Sequence, residues 1–319
     1  MSDGPTKLPR RAWGAALKRA GKEFMSDDML DWAAALTYYS VLSIFPGIVV
    51  LTAVVGLLGQ SATDVLIDNI RELAPAGARD TLVQVVEEIQ GSASFAGPVA
   101  IIGLVTAVWA ASGYVGGFIR ASNAVYEVAE GRPVWKTLPL RVFLTLAMVL
   151  LLSATVVGVA LTGDVADRVG RLLGLGSAGV LVWNIAKWPV LAILVALAIA
   201  LLYWASPNVR QLGFRWLTPG SLLAIGVWVL ASLGFAFYVA NFASYNKVYG
   251  SLAAVIVFLI WLWISNIAIL LGAELDAELS REHQIEEGHP PDVEPFLEPR
   301  DTRAMDGGGQ GARSAPHRE

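Results

Sequence analysis

The chain alternates between long apolar runs and short charged links. The last run is the clearest. No charge occurs between Lys247 and Glu274, and Ser265 and Asn266 are its strongly polar interior residues. A helix rising about 1.5 Å per residue needs roughly 20 such residues to cross about 30 Å of hydrocarbon. The run is apolar on every face, unlike a half-buried surface helix. Similar runs cover 33–58, 98–119, 142–161, 180–204 and 219–239. The pattern predicts an all-α, polytopic membrane protein with six transmembrane helices.

The links have their own patterns. In 1–32, Trp13, Ala16, Leu17, Ala20 and Phe24 recur at helical spacing, which predicts an amphipathic helix, on a membrane surface or as a solvated lead-in. Residues 61–94 carry two short amphipathic patterns around Pro75-Ala76-Gly77 and read as an extracytoplasmic helical link. From 280 to 319 the chain is polar and rich in proline and glycine, so a disordered tail is expected. The domains are thus 1–32, a helical domain over 33–279, and the tail. The first run is too long for a signal-peptide core and reads as an uncleaved signal-anchor.

Basic residues give an orientation. They gather in 1–32, at Arg120, Arg132, Lys136 and Arg141, at Arg210 and Arg215, and in the tail. The alternate links hold only Arg71, Arg79, Arg168, Arg171 and Lys247. The positive-inside rule then places both termini in the cytoplasm. Trp32, Trp204 and Trp216 near run ends fit an interfacial belt.

Composition narrows the chemistry. The chain is 55% hydrophobic and 16% charged, against about 25% charged in soluble domains. Its net charge of -4 argues against a nucleic-acid partner. The absence of cysteine excludes disulfides and thiolate chemistry. No catalytic residue, metal ligand or cofactor is expected.

Several residues are candidates for a substrate path. Lys187 is a lone charge within an apolar run, a placement costing about 2.5–3.5 kcal/mol on insertion scales. It either snorkels toward the outer interface or lines a cavity and pairs with an anionic substrate such as a lipid phosphate. Tyr38, Tyr39 and Ser43 lie beside Pro46, where a kink is expected. They either line a polar path or repair the kink. Asn241, Tyr245, Asn246 and Tyr249 form a polar junction before the last run, a capped turn or a site. Asn266 suits gluing helices together. Glu274, near a helix C-terminus, is disfavoured by the dipole and calls for a basic partner such as Arg132 or Arg141. Prolines at 46 and 189 and paired Ile-Gly and Ala-Ser motifs in the second and fifth runs hint at two inverted three-helix halves.

Ala35-Leu36-Thr37-Tyr38-Tyr39-Ser40 with Phe45-Pro46, Asn123-Ala124-Val125-Tyr126 with Glu130-Gly131-Arg132-Pro133, Pro219-Gly220, and Tyr245 to Ser251 with Leu271-Gly272-Ala273-Glu274-Leu275 resemble the signatures of the YihY/BrkB family. That family comprises bacterial inner-membrane proteins, and the likeness spans about 20–282. It implies six membrane helices and an inner-membrane location. Some members are linked to serum resistance. Some carried a ribonuclease BN label now regarded as misassigned, and one relative has been proposed to export lipid. The leading expectation is a transporter or lipid-handling protein whose partners are membrane lipids. The alternatives are a non-transporting scaffold or envelope-integrity factor and, third, a ribonuclease. A nuclease would need clustered carboxylates or histidines, but His283, His289 and His317 all follow the last run.

Overall fold

The computed structural model describes residues 8–57, 98–160, 177–211, 213–214, 216–241, 251–291 and 293–305, with 64, 67, 68, 71, 83, 84, 86 and 87 between the first two long helices. Seven helices are described in chain order: α1 (Arg10–Ser26), α2 (Met29–Leu57), α3 (Pro98–Val125), α4 (Val134–Ala160), α5 (Ser177–Ala205), α6 (Pro219–Asn241) and α7 (Ser251–Glu286). Among the described residues there is no strand beyond a single bridge between Val209 and Pro299.

Local chemistry sets several boundaries. Asp28 turns the chain between α1 and α2 at φ 53, the left-handed conformation that short polar residues tolerate best. Pro219 opens α6 where a missing N–H costs nothing. Thr218 and Ser221 cap that end reciprocally, each backbone N–H donating to the other's hydroxyl at 2.9 and 3.0 Å. α4 begins eight residues earlier than its apolar run, at Val134, and carries Pro139 within it. Lys136 and Arg141 mark its polar first turns, not a loop.

Four helices are long and apolar enough to cross a membrane among the described residues: Val134–Val159, Leu181–Ala205, Pro219–Tyr238 and Val255–Glu286. Between 17% and 33% of these segments is buried inside the protein. Their outward faces carry large apolar side chains such as Leu150, Leu230 and Phe237, as hydrocarbon requires.

The chain divides into two units, Met1–Ser40 with Tyr114–Leu144 and Ile199–Glu319, and Val41–Gly113 with Thr145–Ala198. In the first, α6 and α7 cross at Gly220 and Gly272. A Cβ on either residue would overlap the other's carbonyl oxygen, so the glycines permit the crossing. Further along, Trp228 donates to Ser265 at 3.0 Å and Trp261 to Ser232 at 3.2 Å. The amphipathic α1 lays Ala12, Ala16 and Ala20 against Leu275 and Leu279 of α7. Arg19 then binds Glu278 at 2.6 Å and also pairs with Glu282. Of the stripe read in α1, Ala16 and Ala20 are covered by α7, whereas Leu17 is 58% exposed.

The tail differs from expectation over 283–305. α7 runs through to Glu286, and Phe296 and Leu297 are buried. Phe296 packs on Tyr126 at 6.0 Å between ring centroids, and Arg281 lies over its ring. The Arg210 and Arg300 amides donate to the Glu298 and Asn208 carbonyls, each at 2.9 Å. These backbone bonds and two buried side chains hold a proline-rich segment that has no periodicity of its own. Residues 306–319 lie outside the described residues.

In the second unit, Ser43 of α2 donates to the Ala111 carbonyl of α3 at 3.4 Å. Leu191 of α5 closes on Gly158 of α4. In the link, the described positions are helical. Ile67, Val83 and Val86 pack together, and Arg71 reaches Asp68 at 3.8 Å and Glu87 at 3.5 Å.

Candidate functional site: polar groups inside apolar helices

Three helices of the first unit meet through hydrogen bonds in their apolar interior. The Asn266 amide of α7 donates to the Thr37 hydroxyl of α2 at 3.1 Å, and Tyr114 of α3 donates to the Asn266 carbonyl oxygen at 3.1 Å. The Thr37 hydroxyl itself donates to the Ala33 carbonyl at 2.8 Å. Asn266 thus hydrogen-bonds to side chains of two other helices. Tyr114 was not singled out in the sequence, because only the helix crossing shows what it faces. Its ring stacks on Phe118, which stacks on Tyr203.

Glu274 does not meet the basic partner expected of it. Arg132 instead grips Glu130 through Nε and Nη2, both at 2.7 Å, and donates to the Ala205 and Ser206 carbonyls. Arg141 packs its guanidinium over Gly116. Glu274 is 1% exposed, and one carboxylate oxygen lacks a hydrogen-bond partner among the described residues. The carboxylates acting on it are Asp27, Glu278, Glu23 and Glu127. Around this acidic end, burial and then the Glu23 charge push the Asp27 carboxyl up to about 6. Burial, followed by the hydrogen bond its protonated form donates to Glu294, likewise pushes the Glu127 carboxyl up. Arg281 reaches Glu278, Glu127 and Glu294 at 3.2–3.8 Å.

Two residues after Glu274, Asp276 faces a cavity of about 80 Å³ that Tyr126, Tyr203, Gln211, Thr218 and Gln284 also line. Its Oδ1 accepts the Gly220 amide at 2.7 Å. Its Oδ2 is buried without a hydrogen-bond partner among the described residues. Sequence reasoning passed over Asp276, although it stands in the same Gly272 to Glu278 stretch as Glu274. Among the described residues, no group of three or more His, Cys, Asp or Glu is placed to hold a metal ion.

In the second unit, Lys187 is 2% exposed. Its ammonium reaches back one turn to the Asn184 side-chain oxygen at 3.3 Å and lies 5.6 Å from the centre of the Trp188 ring. The side chain is therefore sheltered by protein.

The tyrosine and serine residues of α2 do not share one path. Tyr38 is 62% exposed and meets Tyr39 edge to face. The Tyr39 hydroxyl accepts from Arg120 at 3.2 Å, and Ser43 binds α3. The backbone of Pro46 lies within the unbroken α2, and Asn241 ends α6; their side chains, and Tyr245, Asn246 and Tyr249, lie outside the described residues.

A model of the family described as Virulence factor BrkB matches residues 20–296. The chain is 29% identical over 258 residues to the ribonuclease-like protein YfkH of Bacillus subtilis, covering 81% of this chain and 92% of that protein. It is 32% identical over 271 residues to a UPF0761 membrane protein of Alkalilimnicola ehrlichii, covering 81% and 57% of the two chains. It is 26% identical over 290 residues to a UPF0761 membrane protein of Xanthomonas campestris, covering 88% and 64%. The alignments thus take in less than two thirds of the length of these two UPF0761 relatives. No solved structure matches.

Proposed function

Because the chain belongs to the Virulence factor BrkB family, a family of membrane proteins, we propose that it moves or holds an anionic, lipid-like substrate in the bacterial cytoplasmic membrane. The proposal includes six spans, α2 to α7, with both termini inside. The spacing of the basic links supports that orientation. The proposal involves no enzymatic step, cofactor or nucleic acid. The ribonuclease-like name of the Bacillus relative is not carried over, since all three histidines follow Glu282.

The observation that carries the reading is Lys187, a cation 2% exposed within a helix long and apolar enough to cross a membrane. Insertion would be easier without it. A cation kept there at that cost serves an anion that arrives and leaves. The test is lipid movement in vesicles containing the purified protein, read by quenching of a fluorescent phosphatidylglycerol. Lys187→Met should abolish movement while the protein still inserts, and Lys187→Arg should keep part of it, because the charge survives in a different shape. Full movement with Lys187→Met would refute the reading and favour a scaffold.

A further inference from the structure

Asp276 stands in α7 within Val255–Glu286, a stretch long and apolar enough to cross a membrane. Ionisable side chains in such stretches are costly, and they face protein or a water-filled cavity. Here the cavity of about 80 Å³ lies where other elements begin or end against α7. Tyr126 follows the end of α3, Tyr203 lies in the last turn of α5, and Thr218 precedes α6. From α7 itself come Asp276, Ser280 and Gln284, which recur every four residues and share a face. A water needs about 10–15 Å³ of such space, so the cavity has room for several waters or a hydrated ion.

The two oxygens of Asp276 differ. Oδ1 accepts the Gly220 amide in the first turn of α6 at 2.7 Å, and the Thr218 hydroxyl hydrogen-bonds to the same carboxyl group. These contacts explain an acceptor at the start of a helix. They leave Oδ2 unexplained, because it is buried without a hydrogen-bond partner among the described residues. Protonation does not satisfy it, since a hydroxyl there still lacks an acceptor. No Lys, Arg or His is among the described residues that line the cavity. Gln211 donates through Nε2 to the Tyr203 carbonyl at 3.0 Å and to the Tyr126 hydroxyl at 3.4 Å, so the polar atom it has left is an oxygen. One carboxylate among neutral oxygens, with no sulfur or imidazole, suits a hard cation of single charge. A divalent ion draws on several carboxylates, and among the described residues no group of three or more His, Cys, Asp or Glu is placed to hold one.

We propose that Asp276 Oδ2, with the Gln211 oxygen and the hydroxyls of Tyr126 and Thr218, binds a small monovalent cation of the sodium class. Bound there, the ion ties the start of α6 to α7. The site uses neither Lys187 nor its partners, and binding is read without lipid movement, so this proposal and the substrate reading fail separately.

The experiment is binding of radioactive sodium to the full chain in detergent, in choline chloride at fixed ionic strength. Unlabelled sodium should displace the label and choline should not, and sodium should raise the unfolding midpoint as a ligand of the folded state does. Asp276→Asn keeps an oxygen for the Gly220 amide but removes the charge, so it should weaken sodium binding roughly a hundredfold or more and abolish the rise in midpoint. Asp31→Asn, at an exposed carboxylate of α2, should leave both unchanged. If Asp276→Asn fails to fold, Tyr126→Phe replaces it, because it keeps the ring that packs on Phe296; it should bind sodium roughly threefold more weakly or worse. Arg215 lies outside the described residues, so Arg215→Gln is included. A wild type without saturable sodium binding would show a cavity that holds water alone and overturn the proposal; binding gained in Arg215→Gln would then name that arginine as the partner of Asp276. Sodium binding unchanged in the folded variants of Asp276 and Tyr126, or displacement of the label by magnesium at lower concentration than by sodium, would overturn it as well.

Discussion

Arg132→Met tests whether the Glu130-Gly131-Arg132-Pro133 stretch is scaffold or working site. Arg132 is 6% exposed. It holds Glu130 in a fork at 2.7 Å and supplies donors to the Ala205 and Ser206 carbonyls at 3.4 and 2.8 Å. These two carbonyls close α5, so the substitution leaves a helix end without donors as well as a carboxylate without its cation. Breaking a buried pair from one side costs about 3–5 kcal/mol. The Glu130 side chain is 32% exposed and half-recovers in water, so the expected loss is about 3 kcal/mol. The assay is reversible unfolding in bicelles, followed by tryptophan fluorescence. Glu130→Gln/Arg132→Met should recover about 1 kcal/mol relative to the single variant, because the stranded charge is gone. Burial opposes the charge of Glu130, but Arg132 outweighs it and holds the carboxyl below its usual range. Its stabilisation is therefore present above the ordinary carboxylate value and lost as pH falls through the lower folded value. A loss under 1 kcal/mol on Arg132→Met, with no change in acid sensitivity, would refute the scaffold argument.

Three further outcomes are expected. Asp27 has a folded value of about 6 against 3.8, so the folded state holds its proton longer and stability falls as pH rises from about 4 to 6; Asp27→Asn should flatten that fall and raise the unfolding midpoint at pH 7.5. Truncation after Glu282 should lower the unfolding midpoint by several degrees, because it uncovers Tyr126 and removes Phe296, Arg300 and the Asn208 contacts; an unchanged midpoint would show that the docked segment contributes nothing. Reporter tags at residues 1 and 319 should both give a cytoplasmic signal and one at Ala76 an outer signal, and a cytoplasmic signal at Ala76 would overturn the orientation.

The long helices were legible because a span admits few charges, and the starts of α3 and α6 fall on the prolines where the apolar pattern begins. α4 was read too short because Lys136 and Arg141 look like loop residues, although an interfacial turn accepts them. α7 was also read too short. Glu274, Glu278 and Glu282 recur every four residues and share a face, but Arg19, which receives two of them, lies at the other end of the sequence. The tail was misread for the same reason, since its anchors are backbone groups of distant residues. Among the candidate residues, Lys187 and Asn266 stood out as polar exceptions in apolar runs. Tyr114 and Asp276 did not, because helix crossings create their surroundings and no spacing along one helix encodes them.

The packing of α1 on α7 also joins segments made far apart in time. α1 leaves the ribosome long before α7, which carries the leucines that cover its alanine stripe. Until α7 is made, Ala12, Ala16 and Ala20 lack the leucines they pack on, and Arg19 lacks both of its carboxylates. Sequence-distant contacts of this kind form late and slowly. The nascent chain therefore presents a waiting helix to the membrane-insertion machinery and to proteases until α7 arrives. Docking of α1 then marks the arrival of α7.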